Sequence, residues 1–110
     1  MQVHDPTSGD IIFYPEVSIA GNATVREVLY LTAKAYPEFR FEDTLYLGMG
    51  HLLTSIRGIH NARGQGAYWQ FCIDNQASDT GIDEKKVRAG QTIDWHYAQY
   101  GKLPCKKIGE

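Results

Sequence analysis

Trp69, Phe71 and Ile73 alternate with Tyr68, Gln70 and Cys72 through the stretch AYWQFCID, residues 67–74. A period of two predicts a strand with two unlike faces. The set at 69, 71 and 73 is expected to fill a core, leaving Tyr68 and Gln70 outward, where an amphipathic ring beside an amide suits a ligand surface or an ordinary strand. Residues 92–97 repeat the alternation, with Ile93, Trp95 and Tyr97 set against Asp94 and His96. Elsewhere the period changes to that of a helix. Val25, Val28, Leu29 and Thr32 follow helical spacing, Thr24 and Glu27 form a capping box, and Pro37 forbids extension, so one helix is predicted over residues 24–36.

Around that helix the pattern predicts further strands. Residues 11–19 are apolar at 11, 12, 13, 17 and 19 with Pro15 inside, which reads as a bent or edge strand that residues 1–4 pair with in a first hairpin. Phe39, Phe41, Leu45 and Leu47 share one parity and predict an extended segment, which Gly48-Met49-Gly50 breaks. Residues 52–59 resume as a strand, 58–66 with their three glycines read as a loop, and 74–81 as a polar turn. Residues 82–87 are too short to assign, Ala89-Gly90 is a turn, and 101–110 read as a tail behind a single domain over 1–100. A hairpin, one helix and three further strands is the element order of an α+β fold, a β-grasp-like mixed sheet packed on one helix, with Trp69, Phe71, Ile93 and Trp95 in its core.

Composition narrows the function more than it defines it. With 110 residues, 43% hydrophobic, the chain suits one folded domain burying roughly 65% of its unfolded surface. A formal charge of −2 with scattered Lys and Arg offers no basic stripe for nucleic acid. No apolar run approaches the roughly 20 residues of a membrane span. Residues 1–10 carry no secretory leader, so a secreted protein is expected to have lost its signal peptide.

Catalytic chemistry finds no constellation. Cys72 and Cys105 are not paired by spacing with His51, His60 or His96, and His4, His51, His60 and His96 never recur at i and i+4 as zinc ligands do, so no enzyme is expected. The cysteines leave two readings open, a bridge tying the tail to the 67–74 strand, or free thiols. Asn22-Ala23-Thr24 is a glycosylation sequon if the chain is secreted, and equally a helix-entry turn. Asp83-Glu84-Lys85-Lys86 reads as a solvated charge run. Gly48-Met49-Gly50-His51 lets backbone approach a flat ligand beside an imidazole, though a plain turn with an exposed histidine has the same composition.

Taken in succession, several segments resemble the C-terminal β-domain of the vitamin B12 carriers intrinsic factor, transcobalamin and haptocorrin. The resemblance rests on residues 25–35 followed by YPEFRFEDT, on HLLTSIRGI, on AYWQFCID, on Thr80-Gly81-Ile82 and on GQTIDWHYAQY, and it runs nearly end to end. It implies a β-grasp domain covering one side of cobalamin, without the helical domain that covers the other side in full-length carriers. The corrin-facing positions it implies are Gly48, Met49, Gly50, His51 and Leu52, then Tyr68, Trp69, Gln70 and Phe71, then Gln76, Ala77 and Ser78. Two departures stand out: Asn75-Gln76-Ala77-Ser78 lacks the family's Pro-Leu pair, and the 48–51 loop is one residue longer than in intrinsic factor. The histidine there, His51, is a candidate axial ligand for cobalt. The resulting expectation is a secreted, non-enzymatic cobalamin-binding domain, completed by a homodimer, a separate helical domain or a receptor. The alternative is an extracellular protein–protein interaction module of the same fold with no corrinoid.

Overall fold

A computed structural model describes residues 1–15, 21–78, 80–99 and 101–106. The chain runs β1 (Gln2–His4), β2 (Ile11–Phe13), β3 (Asn22–Thr24), α1 (Val25–Ala35), β4 (Phe41–Tyr46), β5 (Gly50–Ile56), β6 (Ile59–His60), β7 (Ala67–Ile73), β8 (Gln76–Ala77), β9 (Lys86–Arg88) and β10 (Ile93–Gln99). The fold is α+β, one helix against a mixed sheet. The main sheet has the order β2-β1-β10-β7-β8, with β1 parallel to β10 and the other pairs antiparallel. A second sheet, β4-β5-β6, lies beside β7, and β3 pairs with β9 beneath the helix entry.

The helix begins where the capping box requires it to. The Thr24 hydroxyl accepts from the Glu27 N–H at 3.1 Å, and the Thr24 N–H donates back to the Glu27 carboxylate. Val25, Val28, Leu29 and Thr32 form its buried face. Opposite them lie Trp69, Phe71, Ile73, Ile93 and Trp95, all buried in one cluster with Val3, Phe39, Leu53 and Ile56. The even positions of β10 and β7 point the other way, so Asp94, His96, Gln70 and Cys72 share the outer face.

Four expectations change. The parity shared by Phe39 and Leu47 breaks at a bulge, where β4–β5 pairing passes from Glu42↔Ser55 to Asp43↔Leu53; Phe39 is therefore buried while Leu45 is exposed. The 52–59 strand is two strands. Arg57 and Gly58, with φ of 55° and 80°, make the two-residue turn that joins β5 to β6 inside the expected loop. In the 74–81 segment the chain turns at Asp74-Asn75, with φ of 49° and 65°, and Gln76 and Ala77 then pair back onto β7. Residues 82–87 close on β9, whose Val87 pairs opposite Ala23. Residues 16–19 of the first expected strand lie outside the described residues.

Cys72 faces outward by parity yet is fully buried, because residues 101–106 return across that face. The Cys72–Cys105 disulfide spans 33 residues, and Lys106 exchanges backbone hydrogen bonds with Asn75 and Ala77. Loop closure of this length stabilises by about 3–4 kcal/mol. The double variant Cys72→Ala/Cys105→Ala is expected to lose that amount in urea denaturation, with the 101–106 segment becoming accessible to protease.

His4 and His96 stack on the same outer face, ring centroids 4.0 Å apart, with Asp94 3.9 Å from His4 Nε2. Burial and the facing His4 hold His96 below its usual pKa, with Asp94 opposing them. The unfolded imidazole takes its proton near pH ~6.5 and the folded one only at lower pH. Stability is therefore full above that value and falls as pH drops toward the folded pKa. In His96→Gln, the decline in urea midpoint between pH 7.5 and pH 5 is expected to shrink.

Candidate ligand cleft

The two sheets meet where β5 lies beside β7, along stretches that the short strands β6 and β8 leave uncovered, and the two strands share no backbone ladder. Asn61 spans the seam. Its Nδ2 donates to the Leu53 carbonyl and its Oδ1 accepts from the Trp69 N–H, each at 2.8 Å, while its own N–H donates to the Thr54 carbonyl. The Trp69 indole N–H closes the same seam on the Ile59 carbonyl at 2.8 Å. Above these contacts opens a cleft of about 170 Å³. It is lined by His51, Leu52 and Leu53 of β5, by Trp69, Gln70 and Phe71 of β7, and by Ser78, Thr80–Ile82, Trp95 and Leu103. A second hollow of about 270 Å³ adjoins it through His51, Thr80 and Gly81 and reaches Met49, Gly50 and Asp83.

His51 is fixed by a residue outside the expected site. Both oxygens of Asp83 lie 2.9–3.0 Å from His51 Nδ1, and the His51 backbone N–H donates to Asp83 Oδ2 at 2.6 Å. The turn carrying Asp83 is itself anchored to the helix. Arg26 N–H donates to the Ile82 carbonyl and Val25 N–H to the Lys85 carbonyl, so otherwise unpaired donors of the first helical turn hold residues 82–85. Burial alone would raise the Asp83 pKa, but the His51 N–H, the His51 ring and Arg26 outweigh it and leave it below the ordinary carboxylate value. Arg26 in turn donates from Nε to Asp43 at 2.7 Å, which raises its own pKa, and lies 3.9 Å from Asp83. The expectation of a solvated charge run thus fails at Asp83.

Gly50 makes this close approach possible. A Cβ there would stand 2.7 Å from Asp83 Oδ2, and its φ of +82° is one that side chains resist. Gly48, at φ +81°, meets nothing within 4 Å. Of the twelve expected positions, His51, Leu52, Trp69, Gln70, Phe71 and Ser78 line the cleft, and Met49 and Gly50 line the adjoining hollow. The structure separates the rest. Gly48 sits in the exposed hairpin turn, Gln76 and Ala77 are paired in β8, and Tyr68 lies outside both hollows. Trp69 and Phe71 belong to the core and touch the cleft only along the β7 edge. Asn61, Asp83, Arg26 and Leu103 had no signal in local pattern, whereas Leu53, Thr80-Gly81-Ile82 and Trp95 stood in segments that carry the resemblance.

Gln70 commits its amide nitrogen to the Ala98 and Gln99 carbonyls, leaving Oε1 as its available acceptor. The indole N–H of Trp95, which also lines the cleft, is buried with no hydrogen-bond partner among the described residues. Among the described residues, no group of three or more His, Cys, Asp or Glu is placed to hold a metal ion. No helix of the described residues is long and apolar enough to cross a membrane.

The chain is an α+β domain with a groove where β5 and β7 lie close together. The chain belongs to the family described as domain of unknown function DUF4430, whose profile matches residues 22–99. That span covers every wall of the groove except Leu103. No curated protein matches the chain.

Alanine separates the two glycines. At Gly48 it is expected to cost about 1–2 kcal/mol of backbone strain in urea denaturation. Gly50→Ala adds displacement of Asp83, and is expected both to cost more and to move the His51 imidazole NMR resonances, which Gly48→Ala leaves in place.

Proposed function

We propose that this domain is a non-enzymatic, secreted carrier module that binds cobalamin or a related corrinoid across the β5–β7 cleft. One observation carries the reading: six of the positions that the B12-carrier resemblance assigns to the corrin face line a single groove. The groove offers Leu52 and the edges of Trp69 and Phe71 to an apolar ring, and Gln70, Ser78 and Thr80 to a fringe of amides. Its volume is below the roughly 300–1,000 Å³ usual for enclosing small-molecule pockets. The ligand therefore rests over the groove with one face open, beside the β4–β5 hairpin tip, where Leu47 is 95% and Met49 86% exposed. A second body, whether a helical domain, a receptor or another copy, covers that open face. The disulfide accords with an oxidising compartment, and Asn22 stands exposed for glycosylation.

Titration of aquocobalamin with the purified chain is expected to show corrinoid co-elution and altered corrin absorption bands. Leu52→Ala and Gln70→Ala are expected to weaken binding several-fold, whereas Ile11→Ala, three strands from β7 in the sheet, leaves it unchanged. Absence of co-elution at high micromolar concentration overturns the proposal. The competing reading, a protein-interaction module, draws on Ile11 and Phe13, 46% and 60% exposed on edge strand β2. A stable protein partner recovered without corrinoid, and lost in Phe13→Ser, would favour it.

A further inference from the structure

Of the four histidines, His51 is the one that lines the cleft and whose ring is held by a carboxylate. An ionised carboxylate can only accept hydrogen bonds, so the contact with Asp83 places the ring proton on Nδ1 and leaves the Nε2 lone pair for a ligand. The ring's described hydrogen bonds all run through Nδ1. A carboxylate behind an imidazole is the arrangement by which proteins orient a metal-binding histidine. Yet among the described residues His51 and Asp83 are joined by no third His, Cys, Asp or Glu that would complete a site for a bare ion. A lone, oriented imidazole suits a metal that arrives already chelated and lacks one ligand.

We infer that Asp83 is a positioning residue that holds His51 as an axial nitrogen donor to the metal of a chelated cobalt complex, so that the cleft selects corrinoids with an exchangeable axial position. The inference rests on the corrinoid reading above. In the exchange, the His51 Nε2 lone pair forms a bond to cobalt(III) and the cobalt–water bond breaks. Water leaves, the oxidation state is unchanged, and the Nδ1 proton stays on the hydrogen bond to Asp83. Corrinoids whose axial ligand is held tightly, such as cyanocobalamin, retain only the ring and amide contacts.

Asp83→Asn tests the orientation without removing bulk. The amide oxygen can replace Oδ2 as acceptor for the His51 N–H, which turns the amide NH2 toward Nδ1 and favours the Nε2–H tautomer, unable to ligate. Nitrogen-15 NMR of the ligand-free chain at pH 8 is expected to show Nδ1–H at His51 in the wild type and Nε2–H in Asp83→Asn. An Nε2–H wild type overturns the inference. Aquocobalamin is expected to bind with a band shift toward its imidazole adduct, and cyanocobalamin more weakly with none. In His51→Ala the aquocobalamin shift is expected to vanish, and in Asp83→Asn affinity for aquocobalamin is expected to fall about 10–100-fold. Co-elution with an unshifted spectrum, or a shift that survives His51→Ala, removes the axial role and leaves corrinoid binding standing. No co-elution of either compound removes both.

Discussion

The seam held by Asn61 is the constraint on which the rest of the molecule turns. β5 and β7 bring two sheets to one core, but their edges carry no ladder between them; one side-chain amide supplies a donor to Leu53 and an acceptor to Trp69 instead. An amide is suited to this, since it satisfies a carbonyl on one strand and an N–H on the next, groups that would be costly to bury unpaired. The bridge sits at Leu53 and Trp69, two residues that also line the cleft.

The chemistry at the mouth of the groove depends equally on the helix entry. The donors of Val25 and Arg26 hold the 82–85 turn, the turn delivers Asp83, and Asp83 fixes His51 through backbone and ring together. Gly50 clears the space in which that carboxylate sits. Helix capping, turn geometry and imidazole orientation thus form one chain of contacts running from Thr24 to the cleft. On the opposite face the Cys72–Cys105 bridge fastens residues 101–106 over β7 and β8, which brings Leu103 to the end of the groove.

Much of this was legible in the residues. The capping box and Pro37 bounded the helix, the alternation in 67–74 and 92–97 produced adjacent antiparallel strands with Trp69, Phe71, Ile93 and Trp95 inward, and the α+β architecture followed from element order. The short strands were less legible. β3, β6, β8 and β9 have two or three residues each, too few for a period to emerge; β6 and β8 exist because Arg57-Gly58 and Asp74-Asn75 fold the chain back on itself, and β3 and β9 because they pair with each other. Phe39 and Leu47 parted company at a bulge that alternation cannot foresee.

The sequence by itself determined the helix, the two long strands, their inward aromatic faces and the histidine at the hairpin, because periodicity and capping are local and act over a few residues. Tertiary structure alone decided that Cys72 is covered rather than exposed, that Asn61 bridges two sheets, and that Asp83, from an apparently solvated charge run, stands behind His51 32 positions away. Those outcomes depend on which edges meet and which turns dock. Hydrogen bonds between distant groups leave no periodic trace in the chain that makes them.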